Sequence, residues 1–127
     1  MSDRIGRLED NLVTLEKLRT LSTRDTAWHW ALRYGLLESI QIVIDLACEL
    51  VATRNLGSPA SYRECVEILT NNALLSPELG AKVMGMIGLR NRLVHDYDEI
   101  DSARLIPLLD QLSDFRDFAA AYLQANA

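Results

Sequence analysis

Residues 88–97 read GLRNRLVHDY, placing Arg90, Asn91, His95 and Tyr97 within a few turns of one another. Each type brings a distinct chemistry. A guanidinium grips an oxyanion such as phosphate with two prongs. An imidazole titrates near neutral pH and so suits proton transfer. A carboxamide can orient either group, and a phenol can pack or carry a modification. Taken alone, His95 could equally be a surface cap on the last carbonyls of a helix, and Tyr97 a packing residue whose hydroxyl reaches water.

Residues 81–97 fit a helix, and at about 100° per residue they sort into faces. Val83, Met86, Ile87, Leu93 and Val94 form one apolar arc with Arg90 in its middle and Tyr97 beside it. Met84, Gly88, Asn91 and His95 make an adjacent stripe, and Arg92 and Asp96 point away. An unpaired charge on a buried face costs several kcal/mol, roughly speaking, so Arg90 requires a carboxylate, carbonyls, a polar cleft or an anionic ligand. Gly88, which costs about 1 kcal/mol inside a helix relative to alanine, opens a notch one turn before Asn91. Arg90 and His95 lie about 140° apart on the wheel, flanking a groove. Two such helices facing each other across a two-fold axis would bring two arginines and two histidines to one cleft.

The elements that must position this helix follow from spacing. A first helix over about Asp3–Leu21 carries Ile5, Leu8, Leu12 and Leu15 on one stripe. A second, about Thr23–Thr53 with Ser22 as a possible cap, collects Leu36, Ile40, Val43, Ala47 and Leu50. Its opposite stripe of Glu38, Gln41, Asp45 and Glu49 reads as a solvated face, although Asp45 and Glu38 would reach the cleft if this helix lined it. Ser61 and Glu64 form a capping box for a short third helix. Ser76, Pro77 and Glu78 open the fourth. A fifth starts near Asp101, with Pro107 kinking it or marking its true first turn. The expected fold is an all-α, up-and-down bundle of about five helices, a single domain over 1–127.

Composition fits this. The chain has 127 residues, 49% hydrophobic and 6% aromatic, and at this length roughly two-thirds of the unfolded surface is buried. A net charge of −5 excludes binding nucleic acid through a broad basic surface, so any such role rests on a local site. Cys48 and Cys65 form no metal-ligand spacing and read as two buried, reduced thiols. His29, between Trp28 and Trp30, reads as a packing residue. No apolar run is long and uncharged enough to span a membrane, and a cytoplasmic protein is expected.

Arg90-x4-His95-x-Tyr97, with Asn91 adjacent and with GSPASYREC preceding a short helix, resembles the HepT-type toxins of the HEPN superfamily over nearly the whole chain. The resemblance implies a homodimeric bundle that cleaves RNA without metal or other cofactor. Arg90 would hold the scissile phosphate, His95 would move protons and Asn91 would orient the phosphate or the histidine, with the ribose 2′-OH as nucleophile. It further implies a toxin–antitoxin pair of type II or VII kind. A minimal nucleotidyltransferase antitoxin would silence the toxin by AMP transfer to Tyr97, with a higher assembly of the two left open. The alternative is a non-catalytic helical module that docks such a nucleotidyltransferase.

Overall fold

The longest run of helix-forming sequence becomes the axis of the molecule. In the computed structural model, which describes residues 3–95 and 102–127, α1 spans Asp3–Thr20, α2 Thr26–Thr53, α3 Tyr62–Asn71, α4 Pro77–His95 and α5 Ser113–Ala125. Two 3-10 segments, Ser102–Arg104 and Ile106–Gln111, precede α5. The described residues contain no strand, as the periodicity predicts. α2 packs against all four other α-helices, so its two faces decide where everything else sits.

The stripe on α1, Ile5, Leu8, Leu12, Leu15 and Leu18, is buried against α2. Leu36, Ile40, Val43, Ala47 and Leu50 of α2 are buried as well, and one contiguous apolar cluster runs from α1 to α5. Burying a side chain of this size stabilises the fold by about 1.5–3 kcal/mol, so this cluster dominates the energetics. The α3–α4 approach is close: a Cβ on Gly80 would lie 2.5 Å from Thr70 Oγ1. Only glycine fits there without a shift.

The helix signals hold with local corrections. Asp25, not Ser22, caps α2, accepting the Trp28 N–H at 2.9 Å. The Trp28 indole donates to the Leu18 carbonyl at 2.9 Å, which ties the α1–α2 turn and delays the start of α2. Ser61 Oγ accepts the Glu64 N–H at 3.2 Å while the Glu64 carboxylate accepts from the Ala60 N–H. Ser76 Oγ accepts the Leu79 N–H at 3.1 Å, with Pro77 first in α4. Residues 102–111 are not a continuous first half of α5. Pro107, which lacks an N–H and crowds the preceding turn, sits at the start of the second 3-10 segment. Asp101 lies outside the described residues.

Two larger expectations are overturned. The polar stripe of α2 is not a solvated face but a seam between helices. Glu38 accepts from Arg7 Nε at 2.6 Å, from Asn11 Nδ2 at 3.0 Å and from the Tyr34 hydroxyl. Glu49 accepts from Arg4 at 2.9 Å and from the Tyr122 hydroxyl at 3.1 Å. Along this stripe α2 is covered in part by α1, α4 and α5. Cys48 and Cys65 are not reduced thiols: they form a disulfide between α2 and α3, with Cα atoms 5.2 Å apart. Helix packing brings them together, which their spacing along the chain does not announce. No helix among the described residues is long and apolar enough to cross a membrane.

Hydrogen bonds from Arg7, Tyr34 and Asn11 hold the Glu38 carboxyl well down, from 4.5 to about 2. A depressed carboxyl pKa adds stability above the unfolded value and loses it as pH falls through the folded one. Acid titration of wild type should therefore show stability lost between about pH 4.5 and 2, and Glu38→Gln should flatten that part of the curve. An unchanged slope would mean the cluster is not intact in solution. The disulfide closes a loop of sequence separation 17, and a loop near that length is worth about 3 kcal/mol. Cys65→Ser should lower the unfolding free energy by about that much, and unreduced wild type, unfolded, should expose no reactive thiol. Two labelled thiols without reductant would contradict the bond.

Candidate active site

α4 presents Val83, Met86, Ile87 and Leu93 to the core, and Arg90 follows on the same face, half-buried. Val94 departs from the expected arc, being 41% exposed near the helix end. The Arg90 guanidinium lies in the seam between α2 and α3. Its Nε donates to Gln41 Oε1 at 3.0 Å and its Nη1 to Asn91 Oδ1 at 3.1 Å. Its central carbon stands 5.4 Å from the centroid of the Tyr62 ring. Gln41 Nε2 in turn donates to Asp45 Oδ1 at 2.9 Å, giving a chain Asp45–Gln41–Arg90–Asn91.

Among the described residues, no carboxylate lies within ion-pair distance of Arg90. Amide oxygens and a π face orient a cation without cancelling its charge. Asn91 turns its oxygen to Arg90, which leaves its two N–H donors for another acceptor. A tetrahedral oxyanion approaching this edge would meet a fixed guanidinium and a carboxamide donor together.

The other expected residues distribute unevenly. His95 is the last residue of α4 and is exposed, on a different side of the helix from Arg90, so one chain does not bring the two together head-on. Tyr97 lies outside the described residues. Asp45 does reach the arginine, through Gln41, whereas Glu38 is held on the α1 side by Arg7 and Asn11 and does not. His29 meets the Trp28 ring edge-on at 5.0 Å, consistent with packing, but Trp30 is 71% exposed and does not enclose it.

Sequence reasoning missed Gln41, Tyr62 and Arg63. Gln41 was visible as the one uncharged member of the α2 stripe, the type able to serve both an arginine and an aspartate. Tyr62 and Arg63 open α3 immediately after its cap, and nothing in their spacing points to α4. Arg63 Nη1 lies 3.8 Å from Met84 Sδ, and its Nη2 would stand 3.7 Å from a Cβ on Gly88. The notch at Gly88 is thus taken by a side chain.

Comparison with known proteins places this geometry in context. The family model for HepT-like ribonucleases matches residues 1–122. The mRNA nuclease HepT of Shewanella oneidensis is 34% identical over 85 residues, covering 66% of this chain and 64% of that protein. The tRNA nuclease HepT of Aphanizomenon flos-aquae is 32% identical over 98 residues, 76% of this chain and 67% of that one. Among solved structures, a tri-AMPylated Shewanella oneidensis HEPN toxin in complex with MNT antitoxin superposes with a TM-score of 0.85 at 24% identity, covering 95% of this chain and 97% of the other. At that identity the likeness speaks for the fold.

The Arg90 bonds to Gln41 and Asn91 are only part-buried, so water can satisfy the two amide oxygens once the guanidinium is gone, whereas acceptors left buried and unpaired would cost about 1–3 kcal/mol. Arg90→Met should therefore unfold at the same or higher denaturant midpoint than wild type. A loss above about 2 kcal/mol, within the range for breaking a buried polar network, would assign Arg90 a structural role instead.

Proposed function

The chain belongs to the HepT-like ribonuclease family, whose model matches nearly its whole length, and from that membership we propose that it is a toxin endoribonuclease needing no metal. The observation that carries the reading is the Arg90 guanidinium, half-buried, fixed by Gln41 and Asn91, and unneutralised by any described carboxylate. A scaffold has no use for such a charge, whereas a phosphodiester supplies the missing anion.

Arg90 binds the non-bridging oxygens of the scissile phosphate and stabilises the charge that builds there in the transition state. The Asn91 N–H groups donate to the same phosphate. His95 takes the proton from the ribose 2′-OH as that oxygen attacks phosphorus, and the 5′-oxygen leaves with a proton from an imidazolium. The products are a 2′,3′-cyclic phosphate and a 5′-OH, and DNA is spared because it lacks the nucleophile. Two proton transfers call for a base and an acid. Because Arg90 and His95 face different sides of α4, a second copy across a two-fold axis supplies the complementary histidine, giving a composite dimer site. A minimal nucleotidyltransferase antitoxin silences the toxin by AMP transfer to Tyr97, whose added phosphate pairs with arginine at the RNA site.

Incubating the purified protein with RNA in excess chelator tests this. Wild type should cleave and leave cyclic-phosphate ends detectable by mass spectrometry. His95→Ala should lose about 10²–10⁴ in rate, and Arg90→Ala about 10²–10³, the usual cost of removing a transition-state charge donor. Intact RNA with a tightly bound nucleotidyltransferase would instead favour a docking module. With that partner and ATP, one or more AMP groups should appear on the Tyr97 peptide and be absent from Tyr97→Phe.

A further inference from the structure

Beside Arg90 lies a cleft of about 480 Å³ lined by Cys48, Pro59, Ala60, Ser61, Tyr62 and Cys65. Tyr62 belongs to both places. Its ring lines the cleft, stands 5.4 Å from the Arg90 guanidinium carbon and is 38% exposed. The surround is stiff: the Cys48–Cys65 bond joins α2 to α3 along its wall, and Ser61 is committed to capping α3. On the α4 side of the same helix start, Arg63 lies against Met84 and over Gly88. Gly88 is one turn before Asn91, so the Arg63 guanidinium lies against the same stripe of α4 that carries Asn91. A thioether is a weak acceptor, and Arg63 makes no ion pair with a described carboxylate.

We infer that the Tyr62 cleft is a subsite for one unstacked base of single-stranded RNA, with Arg63 holding a neighbouring backbone phosphate; this rests on the RNA reading of the Arg90 site. An aromatic face offers stacking that every base can use, and Pro59 supplies a second apolar wall. The cleft brings few polar side-chain groups to the edge of a base, the Ser61 and Tyr62 hydroxyls, and the Ser61 oxygen already accepts the α3 cap bond. Stacking therefore governs binding here, with little reading of base identity. A base within a duplex cannot enter, which selects loops and single strands. Arg63 and Arg90 then hold successive phosphates, and the strand runs from the α3 start across the end of α4.

The test uses a labelled 2′-O-methyl oligoribonucleotide, which binds but cannot undergo 2′-OH attack. Tyr62→Ala should weaken binding about tenfold, within the range for losing one base–aromatic stack, and Tyr62→Trp should retain it. Scanning an abasic nucleotide along the oligomer should find one position that weakens wild type by a similar factor and weakens Tyr62→Ala no further. A merely structural Tyr62 would give additive losses. Arg63→Ala should lower the slope of log affinity against log salt by about 0.7, one phosphate contact on a single strand, while the surface variant Glu67→Ala changes neither readout. No sensitive abasic position, additive penalties or no binding of the oligomer overturns the subsite. Coupled binding without cleavage of unmodified RNA would keep the subsite and sink the nuclease. Cleavage without coupling would do the reverse.

Discussion

A guanidinium held where α2, α3 and α4 converge sets the terms for the rest of the molecule. Withdrawing such a charge from water costs several kcal/mol, to order of magnitude, even after relaxation. Hydrogen bonds made by charged groups return about 1.5–3 kcal/mol each, and a ring face adds about 0.5–2 kcal/mol. Two amide acceptors and Tyr62 therefore offset most of the desolvation without a counter-charge among the described residues. A carboxylate in place of Gln41 would settle the electrostatics better and leave less field for an arriving anion. Asp45 is kept one residue removed, bound to the far end of the Gln41 carboxamide. There it fixes which end of that amide faces the arginine.

This arrangement depends on the register of α2. Glu38 and Glu49 both engage α1, through Arg7 and Arg4, and Glu49 also engages α5 through Tyr122. Gln41 and Asp45 lie between them on the same stripe. Exposed ion pairs contribute little to stability, and the core supplies the bulk of it. Their value is positional: a slide of α2 by one turn past α1 would leave Glu38 and Glu49 mismatched, and would carry Gln41 away from Arg90. The edge that carries Arg90 and Asn91 is thus indexed to the bundle by contacts remote from it.

Much of this was legible in the chain. Apolar residues at intervals of three and four fixed the helices, because burial of one stripe is a local property of sequence. Ser61, Glu64, Ser76 and Pro77 marked starts, because capping bonds join residues three or four apart. The oddity of Arg90 was also readable, since a charge on an apolar arc demands an explanation. What escaped were relations between distant segments. The stripe on α2 looked solvated because nothing local reveals that α1, α4 and α5 would crowd it, and the Cys48–Cys65 bond escaped for the same reason. Ser22 lost the cap to Asp25 through a tryptophan bond to the preceding helix. Tyr62 and Arg63 reach Arg90 and Met84 because α3 packs along α4, a tertiary contact that no local pattern announces.

That approach also explains why α4 tolerates a glycine at position 80, where helix propensity argues against it. A Cβ at Gly80 would stand 2.5 Å from the Thr70 hydroxyl oxygen, so one weak point in the helix is exchanged for contact with α3, whereas a Cβ at Gly88 would meet Arg63 at an ordinary 3.7 Å. The consequence falls on function. Arg90 faces the α2–α3 seam while His95 stands exposed at the helix end, and a rigid helix cannot rotate one toward the other. On the proposed reading, an RNA strand supported by the α3 start reaches the guanidinium from one side, and the proton-transfer group must come from beyond it. A second subunit meets that demand without distorting α4. On that reading the glycine at the α3 contact, an arginine unneutralised by any described carboxylate and the recourse to a second copy have one origin: α4 serves at once as a core element and as the rim of a site.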